Sequence, residues 1–356
     1  MREVLSKIKP SKKEAARLKK VSGKLQAEIE RIAKKIDSRA HAAVLGSASR
    51  GTWLRYEKDI DVFLIMPLEY EKKELEEIVT KIGKKVLKKT EKRYAEHPYI
   101  KGFYDGFEVE IVPCYAIKTP AEMKSAVDRT PFHDEFVKKN IKAKENEVRL
   151  LKQFLAGIGC YGAEAKVEGF SGYLCELLVI KYGSFKKVLK AASGWKAGKV
   201  IGIGARPAGI VKKFKSPLVF IDPVDPKRNV ASALSEQKFN TFVAAAGAFL
   251  KSPRKEFFFP RKRKVVKSEL AARLEERGTD IVGIVFRAPD VIDDILYTQL
   301  RRALKIIVGV LEREEFSVVG RDFFVENGRI FLLIELDSIE LSASRLHTGP
   351  PANSEH

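Results

Sequence analysis

The sequence predicts an α+β chain of more than one domain, and three observations carry that expectation. Its 356 residues exceed the usual size of a single hydrophobic core. Strand-like apolar runs alternate with amphipathic stretches at both ends of the chain, while the middle reads as mainly helical. The hydrophobic fraction of 45% is ordinary for a globular protein and sufficient for real cores. The expected domains are 1–138, 139–258 and 259–356, the first an α/β head, the second helical, the third α/β again.

The elements follow in order. Ser11 and Glu14 have capping-box spacing and open a long helix expected to reach about Ile36. Residues 41–45 read as a short buried strand broken by Gly46 and Ser47, and residues 59–65 as a second strand. Residues 72–89 are helical by the spacing of Leu75, Ile78, Val79, Ile82 and Val86. Residues 107–112 form a third strand, ended by Pro113. In the middle region apolar stripes mark helices over 146–155, 173–189 and 239–250. The Gly-, Lys- and Pro-rich stretch 193–226 holds one strand, 218–221. The end of the chain reads strand 280–286, helix 291–312 and strands 316–325 and 329–335. That β-α-β-β run is most of a ferredoxin-like or RNA-recognition-like sandwich. The basic run 254–267, interleaved with Phe257, Phe258 and Phe259, is expected either to touch RNA phosphates or to be a solvated linker.

Composition narrows the function classes. Lys+Arg 67 against Asp+Glu 47 gives a net charge of +20, an excess that attracts a polyanion, nucleic acid first among them. No run approaches the roughly 20 apolar residues a membrane span needs, and the basic N-terminus has no apolar core of a signal peptide. Cys114, Cys160 and Cys175 are scattered and odd in number, which fits neither a disulfide framework nor a zinc site and points to a cytoplasmic protein. Gly202-Ile203-Gly204 followed by Gly209 lacks the spacing and the βαβ frame of a dinucleotide fingerprint.

One constellation carries chemistry. Gly46-Ser47 precedes Asp59-Ile60-Asp61, and on a strand Asp59 and Asp61 share a face while Ile60, Val62 and Leu64 take the other. Two adjacent carboxylates repel unless a divalent cation lies between them, and magnesium accepts one or two carboxylates plus substrate oxygens. The segment Glu108-Val109-Glu110-Ile111-Val112-Pro113 offers a third acid, Glu110, on a neighbouring strand. A Gly-Ser turn suits a triphosphate, and Arg50 one turn on suits its oxygens. Such a set supports two-metal in-line displacement; an acidic dipeptide repeat alone would be a solvated strand face.

Gly-Ser, Asp-x-Asp and a later acid resemble the polymerase-β-like nucleotidyltransferase superfamily. Longer strings resemble archaeal, class I CCA-adding enzymes: Arg93-Tyr94-Ala95-Glu96-His97-Pro98-Tyr99, Ser125-Ala126-Val127-Asp128-Arg129-Thr130-Pro131-Phe132-His133, Gly169-Phe170-Ser171-Gly172-Tyr173-Leu174-Cys175-Glu176-Leu177 and Asp222-Pro223-Val224-Asp225-Pro226-Lys227-Arg228-Asn229-Val230. The resemblance spans the first helix to about Arg345. It implies a polymerase-β-like head, two Mg2+ ions, and addition of C, C and A from CTP and ATP to the 3′ end of tRNA without a template. It also implies that Asp59, Asp61 and Glu110 hold the metals and activate the 3′-hydroxyl. Gly46, Ser47, Arg50, Lys152 and Tyr161 would hold the triphosphate, with His97, Arg129 and His133 nearby, and Arg228 would meet the base. The acceptor stem is the expected partner, and a homodimer is compatible with the resemblance.

Taken alone these residues have blander readings. Lys152 lies on a helix with a partly apolar face (Val148, Leu151, Leu155), where a lysine more often snorkels to the surface. His97, His133 and Tyr161 suit packing roles, and Arg228 follows the turn Pro223 to Pro226 that stiffens its loop. Two departures from the family stand out. Glu110 replaces the family's Asp, and a methylene matters for exacting magnesium geometry. Family members continue beyond Thr348-Gly349-Pro350-Pro351 into a tail that grips the upper arm of tRNA, whereas the sequence stops at His356, so a weaker grip and poorer tRNA discrimination are expected. The rival functions are a poly(A)- or oligoadenylate-forming transferase, which should ignore CTP, and a non-catalytic RNA-binding relic.

Overall fold

The computed structural model describes residues 1–94, 98–204, 214–261, 266–344 and 349. The chain divides into two compact units, Met1–Pro260 and Arg261–His356.

In the first unit, β1 (His41–Leu45), β2 (Asp59–Met66), β3 (Lys88–Tyr94), β4 (Pro98–Tyr104) and β5 (Phe107–Tyr115) form one sheet in the order β1-β2-β5-β4-β3. Only the β2–β5 pair is parallel. Helices α2 (Lys12–Ala33) and α4 (Lys72–Val86) cover one face. Leu25, Ile29, Val79 and Ile82 there meet Ile60, Val62, Leu64, Val109 and Ile111, all buried. The capping box of Ser11 and Glu14 starts α2 as its sequence requires. Because strand side chains alternate, burying the even positions of β2 and the odd positions of β5 turns Asp59, Asp61, Glu108 and Glu110 to the opposite face.

The sheet has two strands more than the sequence reading gave. Residues 88–94 and 98–104 form a ribbon, and the helix expected to reach 89 stops at Val86. The lysine-rich β3 is polar and lies at the sheet edge, so no apolar alternation marks it. Nor does Pro113 end β5, which continues to Tyr115. Even-numbered amides of β5 point to β2, as Glu108 N–H to Lys58 and Ala116 N–H to Met66 show. Position 113 therefore points toward β4, whose pairing with β5 stops at Ile111, so no ladder bond is lost.

The central region packs α6 (Glu145–Gly157), α7 (Gly172–Tyr182), α8 (Phe185–Ala192) and α9 (Glu236–Lys251) around Phe154, Phe170, Phe185 and Phe242. The N-terminal α1 (Arg2–Ile8) buries Val4 and Ile8 in this same core. The single helix expected over 173–189 is two. Gly183 takes φ +90° to end α7, and the Ser184 hydroxyl accepts from Lys187 N–H to begin α8. A short parallel pair, β6 (Lys199–Ile201) with β7 (Leu218–Phe220), adds one strand to the expected one. Gly46 and Ser47, expected as a turn, open the short helix α3 (Gly46–Arg50), and α5 (Thr130–Asn140) was not anticipated.

The run from Arg254 is not simply a solvated linker. Phe258 is buried in the central core, the Phe257 ring stacks on Phe154, and Gln153 Nε2 donates to the Phe258 carbonyl at 2.7 Å. Lys and Arg neighbours hid one core phenylalanine, Phe258, and two that pack against the core, Phe257 and Phe259.

In the second unit, β8 (Asp280–Arg287), β9 (Val318–Glu326) and β10 (Arg329–Leu336) are antiparallel in the order β8-β10-β9. Helix α11 (Asp293–Arg313) buries Leu296, Leu300, Leu304 and Val308, and β10 buries Ile330, Leu332, Ile334 and Leu336. A further helix, α10 (Lys267–Arg277), precedes them and was not anticipated; it buries none of its residues, Leu270 and Leu274 included.

Candidate active site

The parallel register of β2 and β5 builds the acidic floor. Asp59 lies opposite Glu108 and Asp61 opposite Glu110, so four carboxylates stand on one sheet face. Further along, Phe63, Ile65 and Cys114 continue that face as an apolar patch under Val127. On the other side Lys101 of β4 pairs with Glu108 and, at 3.5 Å, with Glu110. The floor opens into a cavity of about 410 Å³ that also receives Gly46, Ser47, Arg50, Glu57, Lys152, Tyr161, Gly172, Tyr173 and Glu176.

Gly46 has to be glycine twice over. Its φ is +77°, and a Cβ there would collide with the Asp61 carboxylate. Burial pushes Asp61 up to about 7, with the charges of Glu110 and Asp59 adding to it. Asp59 is raised too, by burial and by Glu57. An anionic cluster of this kind is short of a cation. Its oxygen ligands are of the hard type that magnesium takes, and the open edge leaves room for water and substrate oxygens. Among the described residues no group of three or more acidic, histidine or cysteine side chains is placed to hold a metal ion. Asp59 and Asp61 offer carboxylate oxygens of the type a divalent ion takes, while Glu110 leans toward Lys101.

Opposite the carboxylates, α6 and α7 supply cationic and hydroxyl groups. Lys152 is 2% exposed, against the surface role its residue type suggests. Its ammonium has Glu57 Oε2 at 3.5 Å, lies 5.7 Å from the centre of the Tyr161 ring, and is backed by Gly172. Arg50 also lines the cavity, but its side chain is anchored: Nε donates to Glu176 at 3.0 Å and Nη1 to Asp134 at 3.2 Å. Glu176 in turn accepts from Thr52.

The remaining expected residues gather beside the cavity, not on its wall. His133 Nε2 lies 2.8 Å from Asp222, and its ring stacks on Tyr173 with centroids 4.2 Å apart. Arg228 Nη1 donates to the same Asp222 at 2.9 Å, and Tyr173 reaches it at 3.3 Å. Burial raises Asp222, but hydrogen bonds from His133, the Val224 amide and Arg228 outweigh this and hold it down to about 2. Burial lowers His133. Arg129 pairs with Asp225 at 2.7 Å, tying α5's start to the 222–229 loop. His97 lies outside the described residues. Glu57, Lys101, Glu108, Tyr173, Glu176 and Asp222 were not singled out from sequence. The period-two repeat with Glu110 could have found Glu108; the others meet the site only through tertiary contacts.

The comparisons with known proteins identify the family. Residues 27–133 match a family described as nucleotidyltransferase domain, residues 146–259 the tRNA nucleotidyltransferase second domain, and residues 277–356 the CCA-adding enzyme C-terminal domain. The CCA-adding enzyme of Methanosarcina mazei is 44% identical over 353 residues, 98% of this chain and 77% of that protein. That of Archaeoglobus fulgidus is 46% identical over 312 residues, 87% and 70% respectively. Among solved structures, the Cid1 poly(U) polymerase aligns with a TM-score of 0.58 at 14% identity, covering 72% of this chain and 96% of that one. CdnC of E. coli MS115-1 with ATP aligns at 0.54 and 19%, covering 72% and 93%, and both likenesses speak to fold alone. The mixed α+β fold with its polymerase-β-like head is thus shared with nucleotidyltransferases, and on its sequence the chain belongs to the CCA-adding enzyme family.

Proposed function

We propose that this chain adds C, C and A in turn to the 3′ end of tRNA from CTP and ATP, without a template and with Mg2+ as its metal. The observation that supports this most is the β2–β5 register, which sets Asp59, Asp61 and Glu110 in one cavity with Ser47, Lys152 and Tyr161. Asp59 and Asp61 would hold two magnesium ions, with Glu110 joining them once turned from Lys101. Bound there, the metal would supply Lewis-acid neutralisation of phosphate charge. Lys152, Tyr161 and Ser47 would bind the phosphate chain, with Arg50 braced by Glu176 and Asp134 behind it. The carboxylate cluster would take the proton of the RNA 3′-hydroxyl as its oxygen bonds to the α-phosphorus and pyrophosphate leaves.

The base would be met by Arg228, which Asp222 fixes on a stiff loop, while His133 and Arg129 hold that loop in place. We read 1–138 as the catalytic head, 139–258 as the region that completes the nucleotide site, and 259–356 as an RNA-binding region. The charge of +20 fits an acceptor stem as partner, and the cytoplasm is the compartment this substrate implies. No helix among the described residues is long and apolar enough to cross a membrane. The test supplies tRNA lacking its 3′ end with magnesium and labelled CTP, ATP or both. Two C residues followed by a single A support the reading; tailing with ATP alone would replace it with a poly(A)-type activity.

A further inference from the structure

We propose that Glu57 is a positioning residue that occupies the phosphate seat when no nucleotide is bound, holding Lys152 and Tyr161 until the triphosphate displaces its carboxylate from them. The inference rests on the reading of Lys152 and Tyr161 as phosphate ligands. Glu57 lines the cavity two residues before Asp59. Its Oε1 accepts from the Tyr161 hydroxyl at 3.1 Å, its Oε2 lies 3.5 Å from Lys152 Nζ, and the same Oε2 accepts from Leu54 N–H at 2.9 Å. The carboxylate thus joins the loop of the head to α6 and to Tyr161 across the cavity.

A lysine ammonium withdrawn from water needs a counter-charge, and Glu57 is the carboxylate that ion-pairs with Lys152 in the structure. A polyphosphate at Lys152 and Tyr161 brings more negative charge to the same two groups. Glu57 then faces repulsion from the phosphates, and its place at Lys152 passes to a phosphate oxygen. The cost is a weaker hold on nucleotide and on pyrophosphate; the gain is a Lys152 already folded into position and a pyrophosphate that leaves readily.

The test compares wild type with Glu57→Gln. The amide retains the shape: its oxygen can accept from Leu54 N–H and its nitrogen can donate to the Tyr161 hydroxyl, so only the charge is lost. Binding of magnesium tripolyphosphate and of pyrophosphate is measured by calorimetry, and kcat and KM for CTP by turnover. The variant is expected to bind both polyphosphates about three- to tenfold more tightly, with KM and kcat falling together as pyrophosphate release slows. In a Lys152→Met background the same substitution should change affinity less than twofold, about the limit of the method. Unchanged or weaker polyphosphate binding by a folded Glu57→Gln protein would overturn the proposal. Loss of folding in that variant, checked by circular dichroism, moves the same comparison to Glu57→Ser, with the same two outcomes. Failure of the wild type itself to bind tripolyphosphate would instead overturn the phosphate-seat reading.

Discussion

At the scale of single residues, Asp61 concentrates the tension of the site. Its folded value near 7 lies above its ordinary one, so the ionised form is disfavoured by folding. The sign follows: the contribution of Asp61 to the stability of the metal-free protein grows as pH falls through 7 toward 4 and is lost as pH rises through 7. Asp61→Asn should therefore raise the Tm of metal-free protein at pH 8, abolish its response to magnesium, and cut turnover about a hundred- to a thousandfold. A Tm unchanged at pH 8 would contradict the charge crowding. Gly46 is bound to the same residue. Gly46→Ala strains a backbone at φ +77° and drives a methyl into the Asp61 carboxylate. It should cost about 1–2 kcal/mol in urea denaturation and, by displacing a carboxylate, about a hundredfold in kcat.

At the scale of elements, the 222–229 loop shows how a surface segment is made rigid. Asp222 is 0% exposed and gathers His133, Arg228, Tyr173 and the Val224 amide. Its folded value near 2 lies below the ordinary 3.8, so its contribution is complete above about pH 4 and disappears as pH falls through 2. That shift corresponds to about 2 kcal/mol. Asp222→Asn should lower the urea midpoint at pH 7, and the gap from wild type should shrink on acidification to pH 2.5. A gap independent of pH would mean that the asparagine disturbs packing and that the ionic contacts contribute little. Strand β5 gives the converse lesson. The apolar alternation around Glu108 and Glu110 was legible, but its extent past Pro113 was not, since that depends on where β4 stops.

At the scale of the whole molecule, a charge of +20 bears on which partners the chain attracts more than on how it folds. The relative from Methanosarcina mazei matches 98% of this chain, so the charge excess lies on a framework common to both. If several phosphates are neutralised on binding, the logarithm of the tRNA dissociation constant should rise with log salt at a slope of about 4 or more. Measured between 50 and 300 mM KCl at fixed magnesium, a slope below about 1 would assign the excess to something other than RNA.

The sequence by itself determined which residue types could do chemistry and in what local pattern: the glycine-serine turn, the acids at period two, the capped helix from Ser11, and the β-α-β-β run near the end. These are set by neighbours along the chain, through side-chain alternation and hydrogen bonds over a few residues. Only the tertiary structure decided that Glu108 stands beside Asp59, that Lys101 competes for Glu110, that Lys152 is buried against Glu57, and that His133 and Arg228 share Asp222. Three of those pairings join residues 49 to 95 positions apart, with Lys101–Glu110 and Arg228–Asp222 the near exceptions. Burial turns an ordinary lysine or aspartate into a functional group by removing water and leaving it dependent on whichever charge the fold places next to it.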